Sequence, residues 1–110
     1  MAIVPKPIFQ TVPAGVVAFE LYTPAEDVTA RIESIVFVNI HTSSVLISIF
    51  HDIDGAEFDD ASLILKEVSI APDDRYVFDE RVLMDWNGSL GIQVSVADVV
   101  SVTGYAWVDQ

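Results

Sequence analysis

The chain has 110 residues, 52% of them hydrophobic, and its 17 acidic and 5 basic residues give a formal charge of −12. This length suits one domain with a single core, and the acidic balance disfavours nucleic acid and anionic membranes as partners. The absence of cysteine excludes disulfides and thiolate chemistry. High apolar content combined with high charge favours a homo-oligomer that buries apolar surface between subunits, the alternative being a well-filled sandwich with polar loops.

Three of the five prolines lie in the N-terminal segment 1–13, at Pro5, Pro7 and Pro13. Because proline fixes φ and lacks an N–H, this segment is predicted to be an extended arm or edge segment. Ile8 and Phe9 make it apolar, so we expect it to contact its own sandwich or a neighbouring subunit. Residues 14–110 are predicted to form a single β-sandwich domain. The N-terminal residues lack the basic region and apolar core expected of a signal peptide, and no apolar run approaches the roughly 20 residues that span a bilayer, which predicts a protein made in the cytoplasm.

After a short strand at 16–23, two strongly apolar runs follow at 29–40 and 45–53. Their alternation and their β-branched residues are typical of strands, and the polar connector between them predicts an antiparallel hairpin. In the first run the even positions, including Ile32 and Ile40, are predicted to face the core.

The opposite face of this hairpin is also apolar. It carries Ile35 and Phe37 on the first strand and Leu46 and Phe50 on the second. Such residues are unsuited to a surface in water, so we expect this second face to contact another subunit or the N-terminal arm.

The rest of the chain continues the strand pattern. Further strands are predicted at 62–70, 75–84, 90–96 and 101–108, the last with Tyr105 and Trp107 on one face. Their spacing, the intervening turns and the lack of a helical apolar stripe predict an all-β fold of about eight antiparallel strands. The sandwich would be jelly-roll-like or Ig-like.

The acidic stretch that contains Asp52, Asp54 and Asp59 is the best candidate for a metal site, because carboxylate oxygens suit calcium. Gly55 comes too early for an EF-hand loop and no glutamate closes the pattern. We therefore expect a solvated loop that holds no metal or other cofactor.

No set of residues has the spacing of catalytic groups. His41 and His51 lack partners at ligand or triad spacing, and there is no nucleophile elbow or phosphate loop. No catalytic residue is assigned and an enzyme is not expected. Trp86 lies in a predicted loop beside Asn87-Gly88, so it is the aromatic residue that we expect to contact a partner, either a protein or a glycan.

Four successive stretches carry a resemblance to a known class of proteins, namely 21–35 (LYTPAEDVTARIESI), 36–44 (VFVNIHTSS), 68–74 (VSIAPDD) and 90–105 (LGIQVSVADVVSVTGY). They resemble small β-sandwich virion proteins of tailed bacteriophages, with a likeness that covers about residues 16–109. The chain departs from the pattern at Glu26 and Asp73, where glycine is usual.

The resemblance implies a structural virion protein, and a capsid decoration or cement subunit is the expected role. A tail, baseplate or fibre component is the alternative within that class, and a carbohydrate- or receptor-binding module is the alternative outside it. The implied partners are other virion proteins, such as the major capsid or tail protein, and further copies of the chain. The implied location is the virion.

Overall fold

The computed structural model describes residues 3–109, which form two antiparallel β-sheets packed as a sandwich. The strands are β1 (Ile3–Thr11), β2 (Phe19–Tyr22), β3 (Thr29–Asn39), β4 (Val45–Asp52), β5 (Leu63–Ile70), β6 (Arg75–Phe78), β7 (Val82–Met84), β8 (Ser89–Val94) and β9 (Val100–Asp109). This architecture confirms the predicted all-β antiparallel sandwich. Residues 3–109 include no helix with the length and hydropathy needed to cross a membrane.

The strand order identifies the type of sandwich. The first sheet has the order β1-β9-β3-β6, with β7 also paired to β3, and the second sheet has the order β2-β8-β4-β5. Because β6 and β7 pair with successive parts of β3, they act as one interrupted strand. The sandwich then has eight strands in which the first pairs with the last, the order of a jelly roll. The Ig-like alternative would pair the first strand with the second.

The predicted hairpin of the two apolar runs is wrong, because β3 and β4 lie in different sheets. The buried side chain of Asn39 fixes the corner between them. Its Nδ2 donates to the carbonyl oxygens of Ser43, Ile70 and Ala71 at 3.0, 2.9 and 3.2 Å. Its Oδ1 accepts a hydrogen bond from the backbone N–H of His41 at 2.8 Å. These bonds direct the chain into the opposite sheet, so the connector crosses the sandwich.

A β-bulge in β3 changes which side chains face the core. The register of β3 against β9 shifts between Ile32 and Ser34, and Ile35 and Phe37 beyond the shift are fully buried. The prediction that Ile35 and Phe37 contact another subunit is therefore wrong, since the extra residue turns both side chains inward. Ile40, which was predicted to face the core, is exposed.

The N-terminal segment is an edge strand of the sandwich. Residues 3–11 are extended and pair with β9, with a register shift between Pro7 and Phe9. Ile8 and Phe9 are half-buried and pack against the core of their own chain. Met1 and Ala2 lie outside the described residues.

The core lies between the sheets and is built from the alternating inward positions of both. Leu90, Ile92 and Val94 of β8 are buried, as their alternation predicts. They pack with inward residues of β3 and β9 in one continuous apolar cluster. The rigid sandwich leaves the outer faces of the sheets and the loops as the surfaces available for function.

Candidate assembly surface

The outer face of the first sheet carries a row of side chains that crosses four strands. Pro5 of β1 lies opposite Trp107 of β9, Trp107 opposite Arg31 of β3, and Arg31 opposite Leu83 of β7. Directly opposed residues in antiparallel strands share a face and lie close together. The row therefore forms one surface with Trp107 near its centre.

Much of this surface is apolar and exposed. Leu83 is 74% exposed, Ile3 68%, Tyr105 44% and Trp107 36%. We name this surface the Trp107 face and define it by the residues Ile3, Pro5, Arg31, Glu33, Leu83, Tyr105 and Trp107. Isolated exposed apolar residues are ordinary, but a contiguous group is typical of an interaction surface.

Two shallow depressions lie on either side of the Trp107 indole, which forms the ridge between them. One is lined by Ile3, Leu83 and Met84 and by the charged residues Arg31, Asp85 and Asp109. The other is lined by residues of β1 and β9, including Pro7 and Tyr105, and by Glu33 of β3. A ridge between two apolar depressions is a shape into which a complementary surface can fit.

Arg31 and Glu33 form an ion pair beside the indole. The Arg31 Nε donates to the Glu33 Oε1 at 2.7 Å, and the Arg31 Cζ lies 6.0 Å from the centre of the Trp107 ring. Both side chains are about one-third exposed, so the pair contributes only about 0–1 kcal/mol to stability. Its main effect is to hold a positive and a negative group side by side on the Trp107 face.

Charge is distributed unevenly over the molecule. The strands of the first sheet carry three bases, Lys6, Arg31 and Arg75, against the two acids Glu33 and Asp109. The strands of the second sheet carry one base against three acids. The remaining 12 of the 17 acids lie in loops. The first sheet is therefore close to neutral in a strongly acidic protein.

The residues predicted to contact a partner do not form one surface. Leu46 is exposed on the second sheet and Trp86 is exposed in the loop after β7. Ile8 and Phe9 lie against the core. Phe50 is buried because Phe58 of the following loop folds over it, with the two ring centres 5.9 Å apart. The prediction that Phe50 is a surface residue is therefore wrong, while contacts by Leu46 and Trp86 stay predictions.

The Trp107 face itself is missing from the predicted contact residues. The alternation of Tyr105 and Trp107 with Gly104, Ala106 and Val108 was sufficient to place both aromatic rings on one face. The neighbouring positions of Leu83 and Arg31 depend on strand pairing, for which the local sequence holds no signal.

The acidic loop after β4 uses its carboxylates internally. Asp52 accepts hydrogen bonds from the backbone N–H groups of Glu57 at 2.8 Å and Asp54 at 3.3 Å, and Asp59 accepts one from Ala61 at 3.0 Å. The Glu57 bond lowers the pKa of Asp52, while the hydrogen bond with Asp52 and its charge raise the pKa of Asp54. Within residues 3–109 no three potential ligand side chains lie together as a metal site requires.

Comparison with known proteins bears on the fold. No protein-family model and no curated protein matches the sequence. Solved structures do match: a chain of infectious bursal disease virus, Gx strain, aligns with a TM-score of 0.60 at 12% identity over 97% of this chain and 32% of that one. The T13 viral particle of this virus gives 0.59 at 13% identity over 97% and 30%, and its Gt strain 0.55 at 14% over 96% and 32%.

The chain shares its fold with a protein of virus particles. It spans about a third of the length of the chains that it matches. At 12–14% identity the likeness is one of fold, and that fold agrees with the β-sandwich that the resemblance implies. The particles belong to infectious bursal disease virus, so the tailed-bacteriophage origin stays a prediction.

Proposed function

We propose that the protein is a structural subunit of a virus particle, and specifically a decoration or cement subunit of a bacteriophage head. The observation that carries the proposal is the jelly roll, which aligns over 97% of the chain with chains from virus particles. The exposed Trp107 face and the acidic loops support it, because a subunit made for assembly needs contact surfaces and a soluble remainder. The proposal assigns the protein no catalytic role.

The proposed action is stabilisation by binding. A subunit that binds the assembled shell and not its separate components lowers the free energy of the shell, by about 2.7 kcal/mol per site at a concentration of 100 Kd. Burial of exposed apolar side chains supplies the driving force, at about 25 cal/mol for each Å² removed from water. The loop Trp86 is the proposed shell contact, because it is a large exposed aromatic outside the Trp107 face.

Co-sedimentation with shells tests this proposal. Purified protein is mixed with shells assembled from the major capsid protein of the virus that encodes it, and the melting temperature of the shells is measured with and without it. We expect saturable binding, a higher melting temperature, and weaker binding of Trp86→Ala than of the control Val17→Ala. Shells that neither bind the protein nor gain stability would contradict the decoration role.

Two alternatives give different results. A tail, baseplate or fibre component would bind purified tails and leave shells unchanged. A carbohydrate-binding module is supported by the exposure of Trp86 beside the Asn87-Gly88 turn. It would bind components of a glycan array, and Trp86→Ala would abolish that binding.

A further inference from the structure

We infer that the Trp107 face is a two-fold interface between two copies of this chain. This deepens the proposed function by naming the occupant of one assembly surface, and it rests on the chain being an assembly subunit. Binding to a shell is a separate contact. Four features of the described residues support a second copy as the occupant.

The first feature is charge. Two copies that each carry −12 repel one another wherever their acidic loops meet. Within the Trp107 face Arg31 is balanced by Glu33, and Asp85 and Asp109 lie at one of its depressions. The loops carry 12 of the 17 acids. Contact through the Trp107 face therefore involves fewer acids than contact through the loops.

The second feature is that the face is complementary to itself. In a two-fold contact, residue i of the first copy meets residue j of the second, and residue j of the first copy meets residue i of the second. Arg31 and Glu33 lie side by side near the centre of the face. A two-fold axis between them places Arg31 of each copy against Glu33 of the second copy, which gives two equivalent ion pairs in a partly buried setting.

The third feature is shape and size. The Trp107 indole stands between two apolar depressions, so each copy offers both a ridge and a recess. The molecule measures 45 × 26 × 21 Å. One sheet face of these dimensions can supply the ~800 Å² per partner that a standard interface buries.

The fourth feature is that the sheet edges are poorly suited to strand addition. Pro5 and Pro7 remove two N–H donors from the edge strand β1. The second sheet has β2 and β5 at its edges. In β5, Glu67 has φ 47° at a shift in the register against β4. The edge β2 has four residues, and the other edge of the first sheet is interrupted between β6 and β7. Copies therefore associate through a face.

Dimerisation is tested with the full chain by sedimentation equilibrium, after circular dichroism has shown that each variant is folded. We expect the wild type to reach twice its chain mass of 12.1 kDa as concentration rises. Leu83→Glu should weaken the dimer by about tenfold or more, because Leu83 is the most exposed apolar side chain of the Trp107 face and the change would bury a charge in the contact. Val17→Glu is the matched control, since Val17 is 76% exposed and Leu83 74%, and the change in charge is the same.

A charge exchange tests the two-fold arrangement. Arg31→Glu places two acids on the face and Glu33→Arg places two bases there, so each variant alone should be monomeric. An equimolar mixture of the two should form a dimer, because the acidic pair of one variant then meets the basic pair of the other. A wild type that stays monomeric, a mixture that stays monomeric, or equal loss in Leu83→Glu and Val17→Glu would overturn the inference.

These results are independent of the shell experiment. A monomeric wild type that still binds and stabilises shells would overturn the two-fold interface and leave the decoration role intact. A dimer with no affinity for shells or tails would contradict the proposed function and leave the two-fold interface intact.

Discussion

The ring of Phe9 occupies the space that a side chain at residue 104 would need. Phe9 lies on the edge strand β1 and Gly104 opposite it on β9, just beyond the register shift of β1. An aromatic ring over a glycine in a neighbouring strand fills the gap that the glycine leaves. This contact anchors the proline-bearing N-terminal strand to the core.

Gly104→Ala should destabilise the fold by about 1–3 kcal/mol, because a Cβ there must displace the Phe9 ring or the whole of β1. Urea unfolding measures the effect. Gly15→Ala is the control, since no atom beyond its chain neighbours lies within 4 Å of its Cβ position, and its effect should be small. In a Phe9→Ala background the cost of Gly104→Ala should shrink markedly, and equal costs in both backgrounds would refute the contact.

Asn39→Ala should lower the free energy of unfolding by about 1–3 kcal/mol, because it leaves the buried carbonyl of Ile70 and the part-buried backbone N–H of His41 without their partner. Asn39→Asp should cost at least as much, since a carboxylate cannot donate to the carbonyl oxygens of Ile70 and Ala71. Chemical denaturation of both variants checks this. A loss below about 0.5 kcal/mol would show that the corner does not depend on Asn39.

Asp73→Gly should stabilise the fold by about 0.5 kcal/mol, because Asp73 adopts φ 59°, a region that glycine enters without a steric penalty. Asp73→Ala should destabilise it. The thermal midpoint of each variant is the measurement, and Asp60→Gly is the control because residue 60 has no positive φ. Stabilisation of equal size at residue 60 would mean that loss of an acid, and not backbone conformation, is the cause.

Stability should rise with pH through the range just below 6.5 because of His51. Burial lowers its pKa from the usual 6.5, against the opposing charges of Asp52 and Asp85. In the window between the lowered value and 6.5, the unfolded chain binds more protons than the folded chain, so acidification there favours unfolding. The free energy of unfolding at pH 7.5 minus that at pH 5.5 should be smaller in His51→Gln than in the wild type. An equal difference would exclude His51 as the cause.

Local patterns predicted the strands well and their partners poorly. The alternation in β8 marks the inward residues Leu90, Ile92 and Val94 correctly, because these positions follow the simple pleat of a strand. The hairpin failed because the corner at Asn39 depends on Ile70 and Ala71, which lie about thirty residues away. A polar four-residue connector looks the same whether it turns back within a sheet or crosses to the other one.

The errors at the surface have the same origin. The β3 bulge exists only against β9, about seventy residues along the chain, so no local signal shows that Ile35 and Phe37 turn inward. Phe50 is buried by Phe58, whose ring lies 2.7 Å from the Cβ position of Gly91. Glycine at residue 91 makes that packing possible. The Trp107 face is likewise assembled from strands distant in sequence.

The jelly roll connects these details with the proposed function. It closes its core within one chain and leaves the Trp107 face and the loop residue Trp86 exposed, the two surfaces for which we propose contacts with another copy and with a shell. The most direct test is a cryo-electron microscopy reconstruction of particles purified from the virus that encodes the chain. We expect density for this jelly roll on the outer surface of the head, with Trp86 directed towards the shell. Particles whose heads lack that density would contradict the decoration role.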